Sequence, residues 1–167
     1  METLEAIARR RSIRRFTREP IPREQVESLL RAATQAPSGK NLQPWRFVVL
    51  HGTAKDALVT GLRSAVRGVH SAGGDVGSSP WTVRIMRDAP VLVVVFSRPA
   101  PPDMKKWEDD AMRINLQSIG AAIQNLCLAA TASGLGSLWI ADVFYDQGGI
   151  EREFALPGER LVAAVAL

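Results

Sequence analysis

Cysteine is almost missing from this chain. Cys127 stands alone, so no disulfide can form within the chain, and a reducing cytoplasm is the expected compartment. Histidine is nearly as scarce. His51 and His70 are the only two, and neither lies at ligand spacing from the other or from the cysteine, so no metal site is expected. Aromatic residues make up 6% and do not interleave with the basic ones, which argues against stacking on nucleic acid. The longest apolar stretches, Pro90–Phe96 and Leu161–Leu167, are far too short to span a bilayer. The opening METLEAIARRR has no apolar segment before its charges, so it does not read as a secretory signal. There is no G-x-S-x-G elbow and no phosphate-binding Walker loop. Gly134-Leu135-Gly136-Ser137 lacks a third glycine and follows a helical pattern, unlike a dinucleotide-binding turn.

What is present is an ordinary globular composition. The 167 residues are 46% hydrophobic and 23% charged, enough for one sizeable core and one domain over 1–167. The net charge of +4 is unevenly spread. Seventeen of the twenty-one basic residues are arginine, six of them lie between Arg9 and Arg18, and that window holds no acid. A local arginine cluster suits a bound anion such as a phosphate.

The hydropathy pattern reads as α+β. Thr3, as N-cap, opens a short first helix through Leu4, Ile7 and Ala8. Val26, Leu29, Leu30 and Ala33 mark a second, stopped by Pro37-Ser38-Gly39. Trp45–Leu50 is a buried strand. Thr53 and Asp56 resemble a capping box before a helix through Val66. Ser71–Pro80 reads as a mobile Gly/Ser-rich loop, and Val91–Phe96 as the central strand, apolar on both faces. Arg98 to Pro102 is a connector. Met112, Leu116, Ile119, Ile123, Leu126 and Ala130 predict one long helix over Trp107–Ser133 with a continuous apolar stripe. Glu108-Asp109-Asp110 suit its N-terminal end, where the helix dipole favours acids. Its small residues permit close helix approach, serving a core, a dimer interface or both. Gly134 is its C-terminal stop. Ser137–Ile140 is a short strand, Ile150–Phe154 a short helix, and Leu161–Leu167 a last strand.

Two segments could carry chemistry. Arg10-Arg11-Ser12-Ile13-Arg14-Arg15-Phe16 gathers guanidinium forks and a hydroxyl at a helix exit, suited to a phosphate monoester or, equally, to a solvated basic patch. Ala36 to Phe47 (APSGKNLQPWRF) sets Asn41 and Gln43 in a breaker-rich loop before a strand. Their amides offer donors and acceptors to a planar heterocycle, and an ordinary helix-to-strand turn is the plainer reading.

RRSIRRF, then APSGKNLQPWRFVV, then AAIQNLCLAATASGLGS followed by LWI together resemble the nitroreductase family of FMN-dependent oxidoreductases, in its order and spacing over nearly the whole chain. The resemblance implies an α+β fold: a mixed, largely antiparallel central sheet flanked by helices, in a homodimer with FMN at the interface. By motif match Arg10, Arg11, Ser12 and Arg14 hold FMN, with Arg10 and Ser12 toward the phosphate and ribityl end. Arg14 lies toward the pyrimidine, where a cation stabilises the anionic reduced ring. Pro37, Ser38 and Gly39 match the loop that packs on the flavin from the other subunit. Asn41 matches the asparagine that bonds the ring, with Gln43 a lesser candidate. Ile140 and Ala141 match the turn whose backbone amide approaches flavin N5, although most members carry glycine where Ala141 stands. The resemblance further implies that NADH or NADPH delivers hydride and leaves. A nitroaromatic, a quinone or a similar small-molecule acceptor then takes its place, with no catalytic side-chain acid or base. Neither a nucleic-acid nor a membrane partner is implied.

Family chains usually run on past the last strand with a Gly-Tyr-Pro-like turn and a basic tail, whereas this sequence ends at Leu167. That tail is therefore expected to be absent, which bears on FMN retention and dimer stability, and the short 71–80 region implies an open active site. Three further readings remain. The same flavin fold could serve reductive dehalogenation or flavin fragmentation. It could bind flavin without useful turnover. The Arg9–Arg18 cluster could bind nucleic acid, with strong salt dependence.

Overall fold

A computed structural model of the chain describes residues 1–101 and 108–167. The helices are α1 (Thr3–Arg9), α2 (Arg23–Thr34), α3 (Gly52–Ser71), α4 (Ser79–Asp88), α5 (Glu108–Ala132) and α6 (Gln147–Phe154). The strands are β1 (Trp45–Leu50), β2 (Leu92–Ser97), β3 (Leu138–Ile140) and β4 (Arg160–Ala166). Among the described residues two 3-10 turns, Gly39–Asn41 and Asp142–Asp146, accompany these elements. The strands form one sheet in the order β1-β2-β4-β3, and each of the three pairings is antiparallel. A parallel bridge, Ser12 to Ser137, adds the segment after α1 to the β3 side of the sheet.

Every residue of β2 is buried, as its uniform apolar run requires of a strand covered on both faces. Side-chain alternation divides it. Val93 and Val95 join Ala163 and Val165 under α2 and α5, where Leu29, Ile119, Ile123 and Leu126 pack. Leu92, Val94 and Phe96 join Ala164 and Ala166 on the other side, under Leu58, Leu62 and Val66 of α3 and Met86 of α4. The β2–β4 register slips between Val95 and Phe96, which face Ala163 and Leu161. Val162 is thus the extra residue of a bulge.

Several sequence expectations need correction. Thr3 is the first helical residue of α1, and Glu2 occupies the N-cap without a side-chain bond. The Thr53–Asp56 capping box does not form. His51 is the N-cap, no side chain caps the helix, and Thr53 already lies inside α3. The Ser71–Pro80 loop is shorter than expected, because α3 runs through Ser71 and α4 starts at Ser79. Ser79 Oγ donates to Val76 O and Pro80 follows in the first helical turn, where its missing N–H costs nothing. Thr82, Val83, Ile85 and Met86 bury one face of that helix, which the sequence reading left without structure. The stripe along α5 is not continuous. Ile119, Ile123, Leu126 and Ala130 are buried, but Leu116 is 44% exposed. Ala111, Asn115 and Ser118 hold the buried positions instead. The small Ser118 lets the 39–41 turn approach, and the Asn115 amide donates to Arg98 O. The expected start at Trp107 and the connector residue Pro102 lie outside the described residues.

Gly134 does stop α5. Its φ of 75° is left-handed, its N–H donates to Thr131 O and the Leu135 N–H reaches Ala130 O. That pair of bonds is a Schellman motif, and it turns the chain directly into β3.

One polar pair ties β1 to the start of β4. Arg46 Nε lies 2.8 Å from both carboxylate oxygens of Glu159, and the Leu156 N–H also donates to Glu159 Oε2. Burial pushes the Glu159 carboxyl up, but the Arg46 guanidinium and the Leu156 amide outweigh it and hold the group below its ordinary value. A depressed folded-state value stabilises the fold above the ordinary carboxylate range, about 4.3. The contribution is lost as pH falls through the lower folded value. Glu159→Gln is expected to cost about 2 kcal/mol at pH 7 and to flatten the loss of stability below about pH 4.3. Urea melts of both forms across that range check the result.

Candidate functional site

The segment after α1 is pinned to the end of the sheet. The Ile13 N–H donates to Ser137 O at 3.0 Å, in the parallel bridge between Ser12 and Ser137. A Cβ on Gly136 would come within 2.9 Å of the Ile13 side chain, so only glycine permits this approach. Arg10, Ser12 and Arg14 are thereby set beside the strand that leads to Ile140 and Ala141. Arg10 is half-buried, whereas Arg11, Ser12, Arg14 and Ala141 are exposed and Ile140 is buried.

The arginines differ in what they have left to offer. Arg11 Nη1 donates to Ala8 O and Arg10 O at 2.7 and 2.8 Å, so this side chain caps the C-terminal end of α1. Arg14 Nη1 donates to Ser12 O at 3.2 Å, which holds its guanidinium next to the hydroxyl-bearing residue. Arg10 acts on Cys127 of α5. Burial pushes that thiol up, against the opposing pull of the Ser137 hydrogen bond and the Arg10 charge. Burial thus outweighs the arginine's charge and favours the thiol form of Cys127.

The second group sits on the other half of α5. Ser118 Oγ donates to Ile114 O and accepts the Gly39 N–H, and a Cβ on Gly39 would overlap the Ile114 side chain. This close seat fixes the turn. Ser38 Oγ accepts the Gln43 N–H at 3.0 Å, and Gln43 Nε2 lies 3.1 Å from Asn41 Oδ1. Lys40, Asn41 and Gln43 all have positive φ, 52°, 54° and 46°. Three non-glycine residues in that region store strain that only a well-tethered loop tolerates, and such strain clusters at ligand sites. Pro37, Lys40, Asn41 and Gln43 are exposed, Ser38 and Gly39 half-buried.

The structure thus assembles two clusters from the sequence-predicted residues. Arg10, Ser12 and Arg14 lie on the segment pinned at Ser137 to the strand that leads to Ile140 and Ala141, while Pro37, Ser38, Gly39, Asn41 and Gln43 form the second. On α5, Ser118, which seats the second cluster, and Cys127, which feels the Arg10 charge, are nine residues apart, about 13 Å along the axis. Among the described residues no hydrogen bond connects the clusters. Ser118 and Gly136 were missed as site residues. The sequence does show a lone serine in a helix and a glycine after the Gly134 stop, but their partners, Gly39 and Ile13, are remote in the chain.

Large apolar side chains stay exposed on the elements that carry or border these clusters. Leu4 and Ile7 of α1, Leu116 of α5 and Trp139 of β3 are 80%, 50%, 44% and 46% exposed. The Trp139 ring faces Gly120, one turn beyond Leu116. Exposed apolar side chains that gather into one patch mark association surfaces.

Gly136→Val is expected to wedge Ile13 from β3, cost about 1–3 kcal/mol and lower Tm by roughly 3–10 °C. Thermal unfolding followed by circular dichroism measures this. An unchanged Tm would show that the bridge is not a tight contact.

Among the described residues no helix is long and apolar enough to cross a membrane. The sequence profile of the Nitroreductase family matches residues 7–167. The chain is 30% identical over 141 residues to YdjA of Escherichia coli K12, named for NAD(P)H nitroreductase activity, with 83% of this chain and 72% of the relative covered. It is 30% identical over 138 residues to the iodotyrosine deiodinase of Thermotoga neapolitana, covering 78% and 68%. A Desulfovibrio desulfuricans structure described as a nitroreductase in complex with FMN superposes with a TM-score of 0.75 at 30% identity, covering 99% of this chain and 84% of the other.

Proposed function

The chain belongs to the nitroreductase family, and from that premise we propose that it uses FMN to pass electrons from NADH or NADPH to an electron-poor acceptor such as a nitroaromatic or quinone. The observation that carries the site assignment is the Ser12–Ser137 bridge. It pins the segment that carries two guanidiniums and a hydroxyl to the start of β3, the strand that leads to Ile140 and Ala141. The donor set fits the cofactor. Arg10 and Ser12 offer charge-assisted and neutral bonds to a phosphate and ribityl chain, with no acid in the Arg9–Arg18 window to repel it. Arg14 places a fixed positive charge toward the ring, where it favours the reduced, anionic form. FMN held by Arg10, Ser12 and Arg14 would supply two-electron redox chemistry between the nicotinamide and the acceptor.

The chain's own residues bind and orient. Asn41 and Gln43 present amides to the edge of a planar ring, and the strained turn holds them where a flexible loop would not. Their separation from the arginine cluster along α5 supports a homodimer. In that assembly the Pro37–Gln43 loop of one copy completes the Arg10–Arg14 seat of the other across the patch at Leu4, Ile7, Leu116 and Trp139. We extend the same reading to a single domain over 1–167, acting in the cytoplasm.

The visible spectrum of the purified protein tests this directly. After excess FMN and desalting, flavin absorbance should remain with the protein, and NADH or NADPH should bleach it under anaerobic conditions. A colourless protein would overturn the reading. A flavin-loaded protein that neither nicotinamide bleaches would leave binding without turnover. The likeness to a deiodinase favours one second reading, reductive removal of halogen from a halophenol. Release of iodide from iodotyrosine by dithionite-reduced protein would distinguish it from nitro reduction.

A further inference from the structure

A second basic site lies away from the Arg10–Arg14 seat, in the groove between α3 and α4. Residues 59, 63, 66, 67 and 70 of α3 share one helical face, and residues 80, 83, 84 and 87 of α4 share the facing one. Together they enclose a groove of about 520 Å3, within the range of small-molecule sites. Its rim carries Arg63, Arg67, His70, Arg84 and Arg87, and Val59, Val66 and Val83 form its floor. All five basic side chains are exposed and the three valines are buried. No carboxylate lines the groove. The nearby acids are engaged: Asp88 binds Arg87 and Arg18, and Asp75 Oδ1 accepts the Gly77 N–H. Among the described residues Arg63, Arg67 and Arg84 form no ion pair.

Like charges held around one groove repel unless an anion joins them. Guanidinium forks match phosphate oxygens and also stack on planar rings, and the valine floor accepts an apolar or flat body. We propose that this groove binds a nucleotide-sized molecule carrying two or more phosphate charges beside a planar ring. Two sources share that chemistry: a free nucleotide, or the phosphate-bearing adenosine end of NADPH. The second source rests on the function proposed above. It draws on one more contact: the Tyr145 hydroxyl donates to Asp75 O at 3.5 Å. Tyr145 is four residues beyond Ala141, and Asp75 precedes Val76, which lines the groove. The groove's loop end therefore abuts the strap that leaves the proposed flavin seat.

The test is calorimetric titration of the FMN-loaded protein with adenosine 2′,5′-bisphosphate. The Arg63→Gln/Arg67→Gln double variant should weaken binding at least about tenfold. Arg84→Gln alone should also weaken it, and both variants should keep the native Tm. Arg31→Gln, which removes an exposed charge on α2, should not alter binding. The proposal is overturned if the bisphosphate does not bind, if Arg31→Gln weakens it as much, or if the protein binds only anionic phospholipid vesicles. The variants' KM values separate the two sources. A KM that rises for NADPH and holds for NADH assigns the donor, and unchanged KM values with weakened bisphosphate binding assign a free nucleotide. A protein that retains no flavin would fail the functional reading, yet the titration would still report on the groove.

Discussion

Replacing Arg10 with alanine is expected to strip the protein of FMN on desalting, with affinity falling about 10- to 100-fold, or ~1.5–3 kcal/mol. Arg10 is the half-buried arginine of the cluster, and its charge is close enough to act on the Cys127 thiol, so part of its desolvation is already met before an anion arrives. A charge already partly desolvated loses less on binding and is costly to remove. Arg11→Ala is the informative contrast. The Arg11 guanidinium bonds to the Ala8 and Arg10 carbonyls, so its loss should cost about 0.5–1 kcal/mol of stability and leave FMN affinity within about threefold. Fluorescence titration of FMN into each apo-variant, alongside thermal melts, separates the two roles. Equal losses of affinity would mean that the cluster acts as a diffuse basic patch, and the phosphate assignment of Arg10 would fall.

Phe96→Ala should be the most damaging change to stability, at about 3–5 kcal/mol. Phe96 is fully buried beside the β2–β4 bulge, so truncating its ring leaves a void in the core. It also underlies the Arg46 guanidinium, which sits 4.9 Å from the ring centroid, a contact worth about 0.5–2 kcal/mol. The same guanidinium binds Glu159, so the cavity and the polar pair are expected to fail together. Against a typical total of about 5–15 kcal/mol, this loss threatens folding at physiological temperature. Phe96→Leu, which keeps the cavity filled, should cost less than about 1.5 kcal/mol beyond the lost cation–π term. Chemical denaturation of the pair decides it. A Phe96→Ala loss below about 1.5 kcal/mol would show that the bulge relaxes to close the space.

The uniform run at Val91–Phe96 specified a central strand, because only a strand covered on both faces tolerates apolar residues at every position. The breakers around Gly134 specified the end of α5 for a similarly local reason: left-handed backbone there favours glycine. Helix starts were less legible. Thr3 and Thr53 have capping chemistry, yet Glu2 and His51 hold those N-cap positions. Packing of Leu58 and Leu62 on the sheet sets where α3 runs, and a cap worth about 1 kcal/mol does not override it. The α4 helix was hidden because Ser, Gly and Pro at its start carry loop signals, whereas its stability comes from burying Val83 and Met86 under α3.

By itself the sequence determined the α+β class, the central strand, the long helix and the residue types suited to an anion and a planar ring. Each follows from local periodicity, conformational preference or side-chain chemistry. Tertiary structure alone decided which arginine is already engaged, since Arg11 and Arg10 are adjacent in the chain but face different partners. It decided that Gly136 must admit Ile13 and that Ser118 must anchor Gly39, contacts between residues about 80 to 120 positions apart in the chain. It also gathered four arginines of α3 and α4 around one groove, because the two helices pack side by side on the sheet and turn matching faces toward each other.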